Sequence, residues 1–271
     1  MDARLQRRVQ RYGWDKAASH YEHSWRAQLL PAQTAMLEMA ASVPGARVLD
    51  VACGTGLVTL RAAALAGPKG SVVGADISEQ MVAAARERAI ARGVGNVRFE
   101  RMDAEELKFP DGSFDIVLCA LGLMYVPDPR KAIHEFHRVL RSDGRAAAAV
   151  WGQRSKCGWA EIFPIVDSRV QSEVCPMFFG LGTGQTLGQC FAAAGFRDVN
   201  ARRLATQLRY ATTVEACEAA FVGGPVALAY DRFSQAMRDE AHKEYLASLE
   251  PYRDGDGYSV PGEFVVVAGM K

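Results

Sequence analysis

Apolar and polar positions divide the chain into three stretches. Over residues 1–44 the apolar positions recur at helical spacing, first Leu5, Val9 and Tyr12, then Leu29, Met36, Leu37 and Ala40. This pattern predicts helix up to the Pro44-Gly45 break. Residues 46–151 alternate short apolar runs with amphipathic segments. Strands are predicted at Arg47–Val51, Ser71–Asp76, Val97–Arg101, Phe114–Cys119 and Arg145–Trp151. Helices are predicted at Leu57–Ala66, at Glu79–Arg92 with Ser78 as its N-cap, and at Arg130–Arg141, entered through Pro127 and Pro129.

Residues 152–271 are less regular. Helices are predicted over Trp159–Val174, Leu187–Ala194 and Thr213–Ala229, with a strand through Val199–Tyr210 and a final β-branched run at Glu263–Ala268. Strands alternating with helices mean β-α-β units, hence an α/β fold with a mostly parallel sheet covered on both faces. The C-terminal helical insertions are expected above the carboxyl ends of the strands, where open sheets of this kind bind ligands.

Composition narrows the function classes. The 271 residues carry 32 Lys plus Arg against 31 Asp plus Glu, a net charge of +1. A broad electrostatic grip on nucleic acid is therefore not expected. Six cysteines (Cys53, Cys119, Cys157, Cys175, Cys190, Cys217) are scattered without a Cys-x-x-Cys pair. They read as free thiols in a reducing cytosol. Basic residues at the start of the chain precede no apolar core, so a secretory signal is not expected. Apolar runs fall short of the ~18 residues that a membrane span needs. A cytoplasmic protein with no membrane association is the expectation.

The most informative segment is Val48-Leu49-Asp50-Val51-Ala52-Cys53-Gly54-Thr55-Gly56-Leu57-Val58-Thr59. An apolar strand runs into Gly-x-Gly and then a helix. Gly54 and Gly56 permit a sharp turn and close approach of backbone to a ligand. Asp76 closes the second strand 22 residues after Gly54, where a carboxylate can accept from two ribose hydroxyls. A dinucleotide fingerprint would carry a third glycine where Thr59 stands. Asp50 would oppose a diphosphate but suit a cation. These two features favour S-adenosylmethionine over a nicotinamide or flavin dinucleotide.

These residues resemble the first motif of class I S-adenosylmethionine-dependent methyltransferases. The resemblance continues through Val73–Ser78, Asn96–Ala104, Phe109–Asp115 and Val126–Gly144. It is similar to the branch that includes the ubiquinone/menaquinone-biosynthesis methyltransferases, and covers about residues 10–152. It implies a Rossmann-like seven-stranded sheet, an N-terminal helical lid over residues 1–44, a cofactor-binding core over 45–152, and C-terminal sheet elements with helical substrate-cap insertions over 153–271. It implies that Asp50, Ala52, Cys53, Gly54 and Gly56 surround the methionyl end of the cofactor. Asp76 would bind the ribose, Ile77 and Met81 the adenine face, and Asp103 the adenine amino group, with Met102 and Ala104 beside it. Ala120 and Leu121 would line the methyl-transfer side. Tyr12 and Tyr21 are lid candidates, and Tyr12, His20, Tyr21 and Tyr125 are candidate catalytic helpers.

Two departures stand out. Ala52 occupies a position where the family often has glycine. Leu123-Met124-Tyr125 stands where many quinone-type relatives carry a histidine pair. The expected partner is a small-molecule methyl acceptor, and the 213–257 region is a candidate lid or homodimer contact. A nicotinamide-dependent oxidoreductase and a non-catalytic cofactor-binding protein are the alternatives.

The remaining motifs read as structure. His20/His23 and His134/His137 share helical faces but lack further ligands, so no metal site is expected. Gly180, Gly182, Gly184 and Gly188 lack the Lys-Ser/Thr of a phosphate loop and read as a connector. Trp151, Trp159, Phe163, Phe178, Phe179, Phe221 and Tyr230 read mostly as core, with some lining an apolar substrate pocket.

Overall fold

A computed structural model describes residues 2–41, 43–170 and 178–271. The two N-terminal apolar stripes lie on a single helix, α1 (Ala3–Ala40), but only the second, through Leu29, Met36, Leu37 and Ala40, faces inward; Leu5 and Tyr12 of the first are exposed. Gln10, Gly13, Ala17, Trp25, Leu29, Ala32, Met36 and Ala40 are buried along it, at intervals that keep one side inward. At ~1.5 Å rise per residue its 38 residues span about 57 Å. Asp2 caps its start by accepting from the Arg4 N–H (3.1 Å).

Among the described residues eight strands form one sheet: β1 (Arg47–Val51), β2 (Ser71–Asp76), β3 (Val97–Arg101), β4 (Phe114–Ala120), β5 (Leu140–Trp151), β6 (Arg197–Tyr210), β7 (Arg253–Asp254) and β8 (Gly257–Met270). The order is β3-β2-β1-β4-β5-β8-β6, and the two-residue β7 pairs only with β8. The first five strands run parallel, and β8 is antiparallel to both β5 and β6. The seven-stranded expectation therefore holds for the main path, with β7 added as a short hairpin arm. From β1 the chain moves outward to β2 and β3, then returns to β4 on the other side of β1. That reversal opens a crevice at the carboxyl ends of β1 and β4.

Helices α2 (Leu57–Ala66), α3 (Glu79–Ala91) and α4 (Pro129–Val139) connect these strands. The Ser78 side chain caps α3 by accepting from the Met81 N–H (3.1 Å). β5 follows α4 directly at Leu140, earlier than the pattern predicts.

The C-terminal third departs more from expectation. Of Trp159–Val174 only α5 (Ile162–Asp167) is regular α-helix, and 171–174 lie outside the described residues. α6 (Thr186–Ala193) matches its expectation. The predicted helix over Thr213–Ala229 is broken into α7 (Thr213–Cys217), a π-helical turn at Glu218–Val222, and α8 (Ala227–Tyr230). The break falls at Gly223, where a Cβ would lie 2.7 Å from the Ser24 Oγ of α1. α9 (Gln235–Leu249) was not predicted. Its buried residues are only Ala241, Tyr245 and Leu249, too few for a readable stripe.

Candidate functional site

The carboxyl end of β1 carries a buried acid. Asp50 is 1% exposed, and its Oδ2 accepts from the Thr59 hydroxyl at 2.6 Å. Its Oδ1 has no hydrogen-bond partner among the described residues. Burial pushes the Asp50 carboxyl up to about 7. The chain then turns through three left-handed residues, Ala52 (φ 54), Gly54 (φ 54) and Gly56 (φ 82). Ala52 shows why glycine suits its position: a Cβ is strained there.

Asp76 ends β2 and clamps that turn. Its Oδ2 accepts from the Gly54 N–H (2.8 Å), and its Oδ1 from the Ser78 N–H (2.9 Å). Burial pushes this carboxyl up to about 6. Each oxygen keeps a lone pair for a ligand hydroxyl.

A cleft lies between these strand ends and α1. It encloses about 970 Å³ of space free of atoms, its open mouth included. Ala52, Gly54, Asp76, Ile77, Met81, Met102, Asp103, Ala104, Ala120, Leu121, Tyr21 and Tyr125 all line it. Asp50, Cys53 and Gly56 are not among its lining residues. Gly56 instead packs under Phe99 and Ala85, where a Cβ would lie 3.4 and 3.3 Å away. Cys53 is 7% exposed, and burial first of all raises its thiol well above the usual range.

Two candidate helpers lie elsewhere on α1. Tyr12 is 47% exposed and His20 is exposed, and neither lines the cleft. Both positions face away because the inward face of α1 runs through Gln10, Gly13 and Ala17. Tyr21 does face inward; burial first, then Asp76 and Asp50, raises its hydroxyl above the usual tyrosine range.

Asp103 has a double role. Its Oδ1 accepts from the Glu105 N–H (2.9 Å), closing a tight turn rather than capping a helix. Its Oδ2 lies 2.9 Å from the Arg7 Nε. Arg7 also pairs with Glu105, whose Oε2 lies 2.6 Å from the Arg7 Nη2, and Glu105 is 2% exposed. The N-terminus of α1 is thus tied to the loop after β3. A second tie is Asp15, which accepts from the Ser78 hydroxyl at 2.6 Å.

Sequence reasoning did not single out Arg7, Gln10, Trp25, Gly122, Val126 or Pro127, all of which line the cleft. Trp14 appeared only as part of the lid helix, and Trp151 and Trp159 among aromatic residues read mostly as core, with some lining a substrate pocket. All four tryptophans of the chain line this one cleft. Among the described residues no histidine lines it, and no group of His, Cys, Asp and Glu is arranged to hold a metal. His137 is half-buried and packs edge-on to Phe196 at 5.2 Å, so its helix face is less solvated than expected. The glycine-rich connector wraps Arg203, whose Nη2 donates to the Gly182 carbonyl at 2.9 Å.

Residues 48–144 match the methyltransferase-domain family. The chain carries a methyltransferase domain. The match spans β1 to the start of β5 and includes every residue expected on the cofactor side, from Asp50 to Leu121. The chain is 46% identical over 110 residues to the ubiquinone/menaquinone biosynthesis C-methyltransferase UbiE of Ectopseudomonas mendocina, covering 40% of this chain and 43% of that one. It is 34% identical over 155 residues to the demethylmenaquinone methyltransferase of Geobacillus kaustophilus, covering 55% and 66%. The chain therefore spans 43% to 66% of the length of these two relatives.

Among solved structures, the YcgJ protein of Bacillus subtilis superimposes with a TM-score of 0.62 at 22% identity, covering 89% of this chain and 98% of that one. Phosphoethanolamine N-methyltransferase 2 of Haemonchus contortus, in complex with S-adenosyl-L-methionine, gives 0.60 at 20% identity, covering 95% and 57%. These likenesses establish the fold around the methyltransferase domain. Among the described residues no helix is long and apolar enough to cross a membrane.

Proposed function

We propose that the chain moves a methyl group from S-adenosylmethionine to a small, uncharged, largely apolar acceptor by in-line displacement. The observation that carries this reading is Asp50, a buried carboxylate with one oxygen lacking a partner, beside a Gly-x-Gly turn. A diphosphate would be repelled there, whereas a cation supplies the missing compensation. Thr59, 0% exposed and bonded to Asp50, puts a buried acid–hydroxyl pair where a dinucleotide fingerprint has its third glycine. That arrangement disfavours a nicotinamide cofactor. The residues present thus fit the adenosyl sulfonium.

When bound, this cofactor supplies a methyl group already electrophilic on a cationic sulfur. Asp76 accepts from the ribose hydroxyls with the lone pairs left free by Gly54 and Ser78. Ile77, Met81 and Met102 form the apolar walls for the adenine, and Asp103 meets its polar edge. Ala120, Leu121 and Tyr125 face the acceptor side. Trp14 and Tyr21 of α1 roof the cleft, their rings 5.7 Å apart and edge to face, and exclude water. The chain's task is to hold the reacting atoms ~3–3.5 Å apart and in line.

No histidine serves as a base in this cleft, and Tyr21 keeps its proton at neutral pH. The favoured acceptor is one whose nucleophile ionises unaided or is carbon. A quinone-type ring, as the names of the two relatives describe for those proteins, suits the uncharged aromatic end. We assign Tyr12 and His20 no step. The test is methyl transfer from radiolabelled donor to hydroquinones, phenols, thiols and amines. Labelled product from the ring acceptors is expected. Retention of the donor with no product from any acceptor class would contradict catalysis.

A further inference from the structure

Resting on the methyltransferase reading, we propose that Trp159 selects the methyl acceptor: its indole N–H donates to an oxygen of a flat, uncharged molecule. Trp159 lies outside the 48–144 match, so the selection is a property of this chain and not of the shared domain.

Three tryptophans gather at one end of the cleft. The ring centroids of Trp151 and Trp159 are 4.8 Å apart, and Trp25 lies 6.2 and 6.3 Å from them. The charged side chains among the described lining residues are Arg7, Asp76 and Asp103, which belong to the start of α1 and the ends of β2 and β3. Among the described residues the tryptophan end has none. Such walls accept an apolar ring.

The polar atoms decide what that ring carries. A buried indole N–H ordinarily finds an acceptor. Trp25 obeys this rule and donates to the Gly223 carbonyl at 2.9 Å. Trp159 is 4% exposed, and its Nε1 has no partner among the described residues. Rings hem the indole on several sides, with the centroids of Trp25, Trp151, Phe163, Phe178 and Phe179 lying 4.8–6.3 Å from its own. The neighbouring Gly158 N–H donates to the Pro261 carbonyl at 2.9 Å, and a Cβ at Gly158 would lie 2.7 Å from the Tyr252 ring. Phe178 meets Trp159 edge-on at 5.7 Å.

Two orphaned buried atoms of opposite sense therefore stand at this site, one behind the Gly-x-Gly turn and one on a residue that lines the cleft. Asp50 Oδ1 is an acceptor near the Gly-x-Gly turn, and Trp159 Nε1 is a donor at the aromatic end. The first matches a cation and the second an oxygen. An ammonium acceptor would meet the positive end of the N–H dipole, so an oxygen is favoured over an amine. A site built to donate to a ligand oxygen also rejects the analogue that lacks it.

The experiment measures binding of two flat bicyclic probes to the full chain by equilibrium dialysis. Chromone carries a ring carbonyl; naphthalene has the same outline without oxygen. The parent is expected to hold chromone about tenfold more tightly than naphthalene. Trp159→Phe keeps an aromatic ring and removes the donor. It should lose about tenfold in chromone affinity, change less than twofold for naphthalene, and retain S-adenosylmethionine as the parent does. Equal loss of both probes would show a packing role only and overturn the proposal. So would an unchanged chromone affinity in the variant, or no preference for chromone in the parent. The parent comparison stands even if the variant does not fold. Failure of the parent to retain S-adenosylmethionine would instead overturn the methyltransferase reading, whatever the probes show.

Discussion

Ala52 and Gly122 meet across the ends of β1 and β4, so closely that a Cβ on Gly122 would lie 2.3 Å from the Ala52 Cβ. Ala52 is itself held at φ 54, and Leu121, next to Gly122, at φ 60. Both are left-handed backbones that an L side chain adopts at a cost. The two turns that floor the cleft can approach only because one facing position lacks a side chain.

Gly122→Ala is therefore expected to destabilise the chain by about 2–3 kcal/mol through overpacking. Ala52→Gly relieves the left-handed strain and should stabilise by up to about 1 kcal/mol. In the double variant the glycine at position 52 removes the facing methyl, so a large part of the first loss should return. The Cys119 Sγ, 3.0 Å from the same added Cβ, keeps recovery incomplete. Urea unfolding of the four proteins measures the coupling. Strict additivity would show that the two positions do not touch.

A second prediction concerns pH. Asp50 and Asp76 hold their protons up to about 7 and about 6 in the folded chain, well above the unfolded value near ~4. Between about pH 4 and 7 the folded state binds more protons than the unfolded one, so these groups make ligand-free stability fall as pH rises through that window. Binding of a cation has the opposite trend, because it favours ionised Asp50. Affinity for S-adenosylmethionine should rise from pH 6 to 8, and less so for S-adenosylhomocysteine, whose sulfur is uncharged. Asp50→Asn should flatten the rise. A pH-independent affinity in the parent would contradict the role of Asp50.

The third prediction concerns the tie between α1 and the loop after β3. Arg7→Gln leaves Glu105, only 2% exposed, without its cationic partner, although the Asp128 N–H still donates to it at 3.0 Å. A loss of about 2 kcal/mol is expected, below that for a fully buried pair because Arg7 is partly exposed. Amide exchange should quicken over the first turns of α1, and cofactor release should accelerate. Unchanged exchange there would show that Arg7 does not hold the helix down.

How much of this was legible beforehand follows from how local each feature is. Asp50, the Gly54-Thr55-Gly56 turn and Asp76 are set by consecutive residues of one β-α-β unit, and the chain displays them in order. The aromatic end is assembled from α1, the tip of β5 and the segment after it, so Trp25, Trp151 and Trp159 show no shared spacing. Arg7 sits among Arg4 and Arg8 and reads as a solvated run until Glu105 is placed opposite. Tyr12 and His20 were misplaced because residues 1–44 do not announce which face of one long helix turns inward. The break at Gly223 stands in the local run Gly223-Gly224-Pro225, a helix-breaking signal that the expectation of one helix over Thr213–Ala229 passed over. α9 went unread because three buried residues leave its apolar stripe too thin.

The most direct test is a calorimetric titration of the purified chain and its Asp76→Asn variant with S-adenosylmethionine and, separately, with NADH. The account predicts one saturable site for S-adenosylmethionine in the parent, at least about tenfold weaker binding in the variant through the lost charge-assisted ribose contacts, and no heat with NADH. Saturable NADH binding, or S-adenosylmethionine binding that ignores the change at Asp76, would contradict it.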